Sequence, residues 1–231
     1  MAKKAKTNAR GGARARNHEQ RRASERAERR AKLLKLSVAG LIVLVIGTVA
    51  LWPRSSAAAV PEARLNDDPV VGAEGAPIVI TEYADFGCPA CRAWHTSGIR
   101  ERILQTYGDK VQFVWRDFPV ITSRSPKAAE AGQCAHDQGA FWSYHDLVYE
   151  SGLGLDIDAL TFYAEKTGLD TEAFAECLNT GRHQATVERD LTEARRLGLR
   201  GTPSFLVGER VLPGPPRYEQ LVIVIDEALG E

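Results

Sequence analysis

Two cysteines separated by two residues stand where a predicted strand ends and a predicted helix begins. The segment Ile78–Ala84 (IVITEYA) is rich in β-branched and apolar residues, which predicts a strand. Residues 88–107 then carry apolar side chains at helical spacing. Cys88 and Cys91 lie at the junction, and Pro89 suits a first helical turn because its missing N–H needs no partner there. The chain must therefore place two sulfur atoms at the N-terminus of a helix.

This position gives the two thiols different expected properties. The free N–H groups and the dipole at a helix N-terminus favour a thiolate. Cysteine pKa values in such places fall from about 8.5 to roughly 3.5–7.5. Two intervening residues in the first turn also bring the sulfurs close enough to bond. We therefore expect Cys88 to be the attacking sulfur and Cys91, further into the turn, to be the resolving one.

Two structural roles are alternatives for this pair. A zinc site could use Cys88, Cys91 and His95 as three ligands. Structural zinc sites usually contain a second close pair, whereas Cys134 and Cys177 are 43 residues apart. A permanent Cys88–Cys91 bond is the other alternative. The helix N-terminus favours redox chemistry over both.

The rest of the domain predicts a mixed α/β fold. A strand–helix–strand beginning predicts a parallel pair with a crossover connection, and a closing strand pair predicts an antiparallel hairpin. The predicted strands after the first are Val111–Arg116, Ser204–Val207 and Arg210–Leu212. The predicted helices lie at 126–149 (with a break at Gly139), from Asp156 or Asp158 to Lys166, and at 171–179, 183–197 and 218–229.

The N-terminal region differs sharply from this domain. Residues 1–35 hold 13 of the 30 basic residues and three glutamates, whereas residues 36–231 hold 17 basic and 27 acidic residues. Such a segment has too few apolar side chains to form a core. Because no aromatic residues interleave the charges, nucleic-acid binding is not predicted. We interpret residues 1–35 as a basic cytoplasmic tail.

An uncharged apolar run follows the tail. Residues 36–52 (LSVAGLIVLVIGTVALW) span roughly 26 Å as a helix, close to the thickness of one hydrocarbon core. The positive-inside rule places the tail in the cytoplasm and the rest of the chain outside it. We therefore predict a single-pass cell-membrane protein with an anchor at 36–52, a linker at 53–75 and an extracytoplasmic domain at 76–231.

A cleaved signal peptide is the alternative to this anchor. Ala57 and Ala59 form an A-x-A pattern of the kind found at cleavage sites. However, the basic region before the apolar run is much longer than that of a typical signal peptide. An uncleaved anchor is therefore favoured.

Four segments carry a resemblance to a known family: YADFGCPACRAWH, WRDFP, CAHDQGAFWSYHD and GTPSFLVG. In this order they resemble the DsbA-like branch of the thioredoxin superfamily, and most closely the membrane-anchored bacterial DsbA/BdbD-type proteins. The resemblance covers about residues 70–231. It implies a thioredoxin fold with an inserted helical subdomain at about 122–198, here preceded by one transmembrane helix.

The resemblance also implies roles for individual residues. Thr202 and Pro203 match the residue before the cis-proline and the cis-proline itself, which face the active-site sulfur in the family. Glu82, six positions before the first cysteine, matches a buried proton acceptor near the resolving thiol. Ala90 departs from the family pattern, where His is frequent. Without that His we expect a less stabilised Cys88 thiolate and a less oxidising disulfide.

Cys134 and Cys177 lie on separate predicted helices of the insert. They are either buried free thiols, since cysteine packs well in cores, or a structural disulfide. Because the domain is predicted to face an oxidising compartment, we expect the disulfide. The aromatic residues Phe141 and Tyr144 are expected to belong to the core of the insert.

The predicted function is that of a thiol–disulfide oxidoreductase. It would pass its Cys88–Cys91 disulfide to unfolded or newly exported proteins with free thiols. The resemblance implies reoxidation by a membrane partner of the DsbB or VKOR type, with no organic cofactor or metal. A membrane-tethered reductase or isomerase and a redox-silent thioredoxin-fold binding module remain alternatives.

Overall fold

The computed structural model describes residues 67–230. In this part of the chain, strands β1 to β5 comprise Val70–Gly72, Ile78–Ala84, Val111–Asp117, Ser204–Val207 and Arg210–Pro213. Helices α1 to α8 comprise Pro89–Thr96, Ile99–Tyr107, Ser125–Asp137, Phe141–Ser151, Ile157–Lys166, Thr171–Thr180, Gln184–Arg196 and Tyr218–Leu229. The predicted mixed α/β class is confirmed.

The strands form one mixed sheet in the order β1-β3-β2-β4-β5. The neighbours β2 and β3 are parallel, with Ile78 opposite Val111 and Ala84 opposite Asp117. The other pairings are antiparallel. The central strand β2 ends just before the two cysteines, so it holds the start of α1 at the carboxyl edge of the sheet.

Two large apolar cores and one small cluster form around the sheet in the described residues. One joins side chains of the sheet to those of α2 and α8, including Ile80, Phe113, Phe205, Ile103, Leu221 and Ile225. The other lies within the helical insert and reaches the sheet through Phe86 and Trp115, whose rings stack with centroids 5.1 Å apart. Phe141 and Tyr144 are buried in this second core, as predicted.

The structure corrects the predicted linker at its C-terminal end. Residues 70–72, assigned to the linker at 53–75, form β1 and pair with β3. Asp68 just before them forms an ion pair with Arg116, and both side chains are buried. A strand of three residues is too short to show an alternating pattern of apolar and polar side chains. It forms because β3 offers it a backbone edge, which no local pattern reveals.

A second correction concerns the helix that begins at the cysteines. The sequence predicts one helix over residues 88–107, whereas α1 ends at Thr96 and α2 begins at Ile99. Gly98 between them has a φ of +69°, which side chains with a Cβ rarely adopt. The Ser97 hydroxyl also donates to the carbonyl of Trp94 and closes the first helix. The break allows α2 to take a direction of its own.

The helical insert consists of α3 to α7, between β3 and β4. The predicted break near Gly139 is confirmed, because that residue has a φ of +71° between α3 and α4. Cys134 on α3 and Cys177 on α6 are joined by a disulfide, as expected.

Within residues 67–230, none of the helices combines the length and the apolar character needed to cross a membrane. The predicted anchor at 36–52 and the basic tail at 1–35 lie outside the described residues.

Candidate active site

Cys88 is the N-cap residue of α1. Its backbone is extended, with φ −88° and ψ 118°, and its sulfur accepts a hydrogen bond from the backbone N–H of Cys91 at 3.4 Å. Its own N–H donates to the carbonyl of Asp85 at 2.9 Å. The sulfur therefore occupies the place that a capping oxygen takes in most helices, where positive electrostatic potential is concentrated.

A distant segment of the chain completes the surroundings of this sulfur. The Cys88 Sγ lies 3.2 Å from the carbonyl oxygen of Thr202, to which it can donate only while it is protonated. The Thr202–Pro203 peptide bond is cis, as predicted. The residues predicted to surround the cysteine pair thus come together, although 114 positions separate Cys88 from Thr202.

Hydrogen bonds donated to the Cys88 sulfur lower its pKa from 9.0 to about 5. The largest cause is a hydrogen bond from the side chain of Cys91, and the side chain of Thr202 and the N–H groups of Cys91 and Ala90 act in the same direction. Burial opposes them but is outweighed. At neutral pH Cys88 is therefore a thiolate.

Cys91 has the opposite character. It is completely buried, and this burial raises its pKa far above the ordinary range, with further increases from its hydrogen bond to Cys88 and from the charge of Glu82. In the reduced pair one sulfur is thus a stabilised anion and the other a protonated thiol. These properties suit an attacking Cys88 and a resolving Cys91, and that assignment stays a prediction.

Glu82 is buried in the middle of the sheet. It stands on β2 opposite Trp115 of β3 and Phe205 of β4. Its Oε2 has no hydrogen-bond partner within residues 67–230. Burial raises its pKa from 4.5 to about 8, and the positive charge of Arg100 opposes this increase. The carboxyl group is therefore mostly protonated at pH 7.

A groove of about 590 Å³ opens beside Cys88. One wall is the turn that carries Cys88, together with Pro89 and Arg92 of α1. The other walls come from the loop before α3 (residues 122–124) and the loop after α4 (residues 152–155). An extended peptide whose cysteine is bonded to Cys88 can place neighbouring residues in this groove.

Comparison with known proteins identifies the family. Residues 64–227, well over half of the chain, match the profile of the family described as thioredoxin. This chain belongs to the thioredoxin family.

Two kinds of protein are among the curated relatives of this chain. The chain is 36% identical over 165 residues to the Na(+)/H(+) antiporter NhaA 3 of Salinispora tropica, a match that covers 71% of this chain and 25% of the antiporter. The chain thus spans about a quarter of the length of that relative. It is 31% identical over 170 residues to the probable disulfide bond formation protein D of Bacillus anthracis, covering 69% of this chain and 77% of that protein.

A solved thioredoxin-family structure agrees with this fold. Oxidised BdbD from Bacillus subtilis superposes with a TM-score of 0.66 at 23% identity, covering 72% of this chain and 95% of that one. At this identity the likeness concerns the fold. The resemblance to DsbA/BdbD-type proteins, expected from the sequence, is confirmed.

Asp85 is a site residue of this thioredoxin-family chain that the sequence analysis missed. Its carboxylate accepts hydrogen bonds from the N–H groups of Gly87, Val120 and Ile121 at 2.7–2.8 Å. It thereby fixes the cysteine turn to the loop that leads into the insert. An aspartate two residues before a glycine is typical of an Asx-type turn, and this signal could have identified it.

His95 lies elsewhere than the zinc alternative requires. Among residues 67–230 its potential ligand neighbours are His145 and Asp146, not the two cysteines. The Nδ1 of His145 lies 2.7 Å from Asp146 Oδ1, and the same oxygen accepts from Arg100 at 3.0 Å. Burial lowers the pKa of His145 to about 3, so it is neutral. The described residues thus show Cys88 in contact with Thr202, and His95 grouped with His145 and Asp146 instead of with the cysteine pair.

Proposed function

We propose that this chain is a thiol–disulfide oxidoreductase that introduces disulfides into exported proteins by exchange through Cys88 and Cys91. The observation that supports it best is the contrast between the two sulfurs. Cys88 is a thiolate of low pKa at a groove, and Cys91 behind it is a buried thiol. Both side chains are buried, but of the two only Cys88 lines the groove, so substrate reaches that sulfur and the mixed disulfide forms there.

The proposed reaction starts from the oxidised pair. A substrate thiolate attacks Cys88 Sγ, the Cys88–Cys91 bond breaks, and Cys91 leaves with the bonding electrons and takes up a proton. A second substrate thiolate then attacks the substrate sulfur of the mixed disulfide and displaces Cys88 as a thiolate. The substrate gains a disulfide, and two electrons remain on the cysteine pair.

Glu82 is proposed to supply the proton that Cys91 needs. Its pKa of about 8 keeps it protonated at neutral pH, while burial makes a Cys91 thiolate unfavourable. A proton moving from Glu82 to Cys91 transfers the single buried negative charge from the sulfur to the carboxylate, which is the weaker base of the two. When the pair is reoxidised, Glu82 takes the proton back.

The pKa of Cys88 supports oxidation as the direction of electron flow. A stabilised thiolate stabilises the reduced pair, so the disulfide is given up readily. The value of about 5 lies between roughly 7 for thioredoxin and roughly 3.5 for DsbA. This position fits the presence of Ala90 instead of His. The name of the Bacillus anthracis relative also supports this direction.

We further propose that the domain is tethered outside the cytoplasm by residues 36–52 and is reoxidised by a membrane partner. The apolar run and the basic tail before it support this location. The measurement is N-terminal sequencing and membrane fractionation of the full chain. A mature N-terminus near Val60 in a soluble fraction would contradict it.

The redox potential decides between the proposed direction and its alternatives. Equilibration of the full chain with glutathione buffers should give a potential above about −200 mV, nearer to DsbA than to thioredoxin at roughly −270 mV. The oxidised protein should also oxidise a reduced, unfolded test protein, and Cys88→Ala should abolish this. A potential near that of thioredoxin would favour the reductase. A bond that resists mild reductants would favour a redox-silent module.

A further inference from the structure

The groove beside Cys88 carries two unpaired positive charges. Arg92 on α1 and Arg124 before α3 both line it. Within residues 67–230, neither guanidinium has a carboxylate within 4.0 Å, in contrast to five of the twelve arginines there. Those with a carboxylate partner are Arg100, Arg116, Arg182, Arg189 and Arg210. Arginines without a carboxylate partner also occur elsewhere in the described residues, but these two line one groove, and such a groove suits an anionic ligand.

Gly152 leaves room for the first of these arginines. A Cβ at this position would lie 2.6 Å from Nη1 of Arg92, and the φ of Gly152 is +66°. Any side chain here would therefore displace the guanidinium and also strain the backbone. The loop after α4 thus accommodates the arginine against the groove.

The opposite wall is held firmly by the cysteine turn. A Cβ on Gly87 would lie 2.8 Å from Ser125 Oγ and 3.1 Å from Thr122 Cγ2, so the two segments are in close contact. The hydroxyl of Thr122 in turn accepts from the N–H of Arg124 at 3.2 Å. Arg124 is therefore carried on a segment whose distance from Cys88 is fixed.

The N-termini of two helices add to the positive electrostatic potential of the groove. Pro89, the first residue of α1, and Arg124, the N-cap of α3, both line the groove. The N-termini of these two helices therefore lie at its walls, where backbone N–H groups carry partial positive charge. No acidic side chain is found among the described residues that line it.

We propose that Arg92 and Arg124 select substrate segments with a carboxylate next to the reacting cysteine. The inference rests on the proposed function, because the groove is filled only while substrate is bonded to Cys88. A Glu or Asp adjacent to the cysteine lies in the groove and pairs with the two guanidinium groups. The chain thus prefers acidic flanking sequences among the thiols it oxidises.

The test uses two dithiol peptides that differ only beside one cysteine, with Glu in one and Gln in the other. Three oxidised full-length proteins are compared: the natural sequence, R92Q/R124Q and the control R102Q. Each is mixed with each peptide at low ionic strength, and the loss of peptide thiols gives the rate. Because the glutamates also raise the pKa of the peptide thiol, the comparison is of Glu-to-Gln rate ratios between variants. Arg102 is a matched control, exposed and stacked on Tyr218 outside the groove.

We expect the Glu-to-Gln ratio to be about tenfold higher for the natural sequence than for R92Q/R124Q, with R102Q unchanged. Salt at about 0.5 M should reduce the difference, since the groove is open to solvent. Equal ratios for the natural sequence and the double variant would overturn the selectivity alone. Failure of the natural sequence to oxidise either peptide would overturn the proposed function, and the selectivity with it.

Discussion

The acidity of Cys88 depends first on the side chain of its partner. The Cys91 thiol donates the hydrogen bond that lowers the Cys88 pKa most, and it can do so only in the reduced pair. The contact therefore stabilises the product of substrate oxidation and not the starting disulfide. The contact is made within the cysteine pair, so it does not depend on the membrane or on the protein that reoxidises the pair.

Cys91→Ala should raise the Cys88 pKa from about 5 while leaving it below 9.0, because the backbone N–H groups of Cys91 and Ala90 remain in place. Thr202→Val should cause a smaller rise. The pH dependence of Cys88 alkylation measures both shifts. Thr96→Val, at the far end of α1 and hydrogen-bonded to Ala93, serves as the control. An unchanged midpoint in Cys91→Ala would show that the helix N-terminus alone sets the pKa.

Glu82→Gln should change how stability depends on pH. The pKa of Glu82 is about 8 in the folded chain and 4.5 when unfolded, so the folded state keeps the proton up to a higher pH. Its contribution to stability is fully present below pH 4.5 and is lost as the pH rises towards 8. Relative to Glu82→Gln, the natural sequence should lose roughly 3 kcal/mol of unfolding free energy between pH 4 and pH 7. Urea unfolding measures the free energies. A difference between the two proteins that is the same at pH 4 and pH 7 would contradict this.

At the scale of elements, Asp85 connects the end of β2 to the loop before the insert. Asp85→Asn keeps the shape but replaces one acceptor oxygen with a donor, so at least one of the three N–H groups loses its partner. We expect a loss of roughly 2 kcal/mol in unfolding free energy and faster hydrogen exchange at Val120 and Ile121. Asp156→Asn is the matched control, because either residue caps α5 well. Equal losses in the two variants would remove the special role of Asp85.

Helices and strands with a clear periodic pattern of apolar residues were predictable from the sequence. Those that form only by pairing with a distant strand were not. Strand β2 and the final helix follow their apolar patterns closely. β1 was missed because its three residues become a strand only against β3. Within the site, the cysteines are recognisable by their spacing, and Glu82 by the family resemblance. Arg92 and Arg124 are not, since a groove shared by separate loops has no sequence signal.

At the scale of the whole molecule, the Cys134–Cys177 disulfide fixes two helices of the insert to each other. Replacing both cysteines by Ala should lower the unfolding free energy by about 4 kcal/mol, the chain-entropy value for a loop of this length. Substrate oxidation at a temperature where the variant is folded should persist, because neither residue lines the groove. Denaturant unfolding and peptide oxidation measure the two effects. Loss of exchange in a folded variant would assign this disulfide a redox role.

The contact between Cys88 and the carbonyl of Thr202 joins positions 114 residues apart. A ribosome makes the chain from the N-terminus, so both cysteines are synthesised long before Thr202. Until then Cys88 also lacks the side chain of Thr202, one of the groups that lower its pKa. An unfinished chain therefore carries a cysteine pair closer to ordinary thiols in reactivity, and the fold delays full reactivity until the domain is nearly complete.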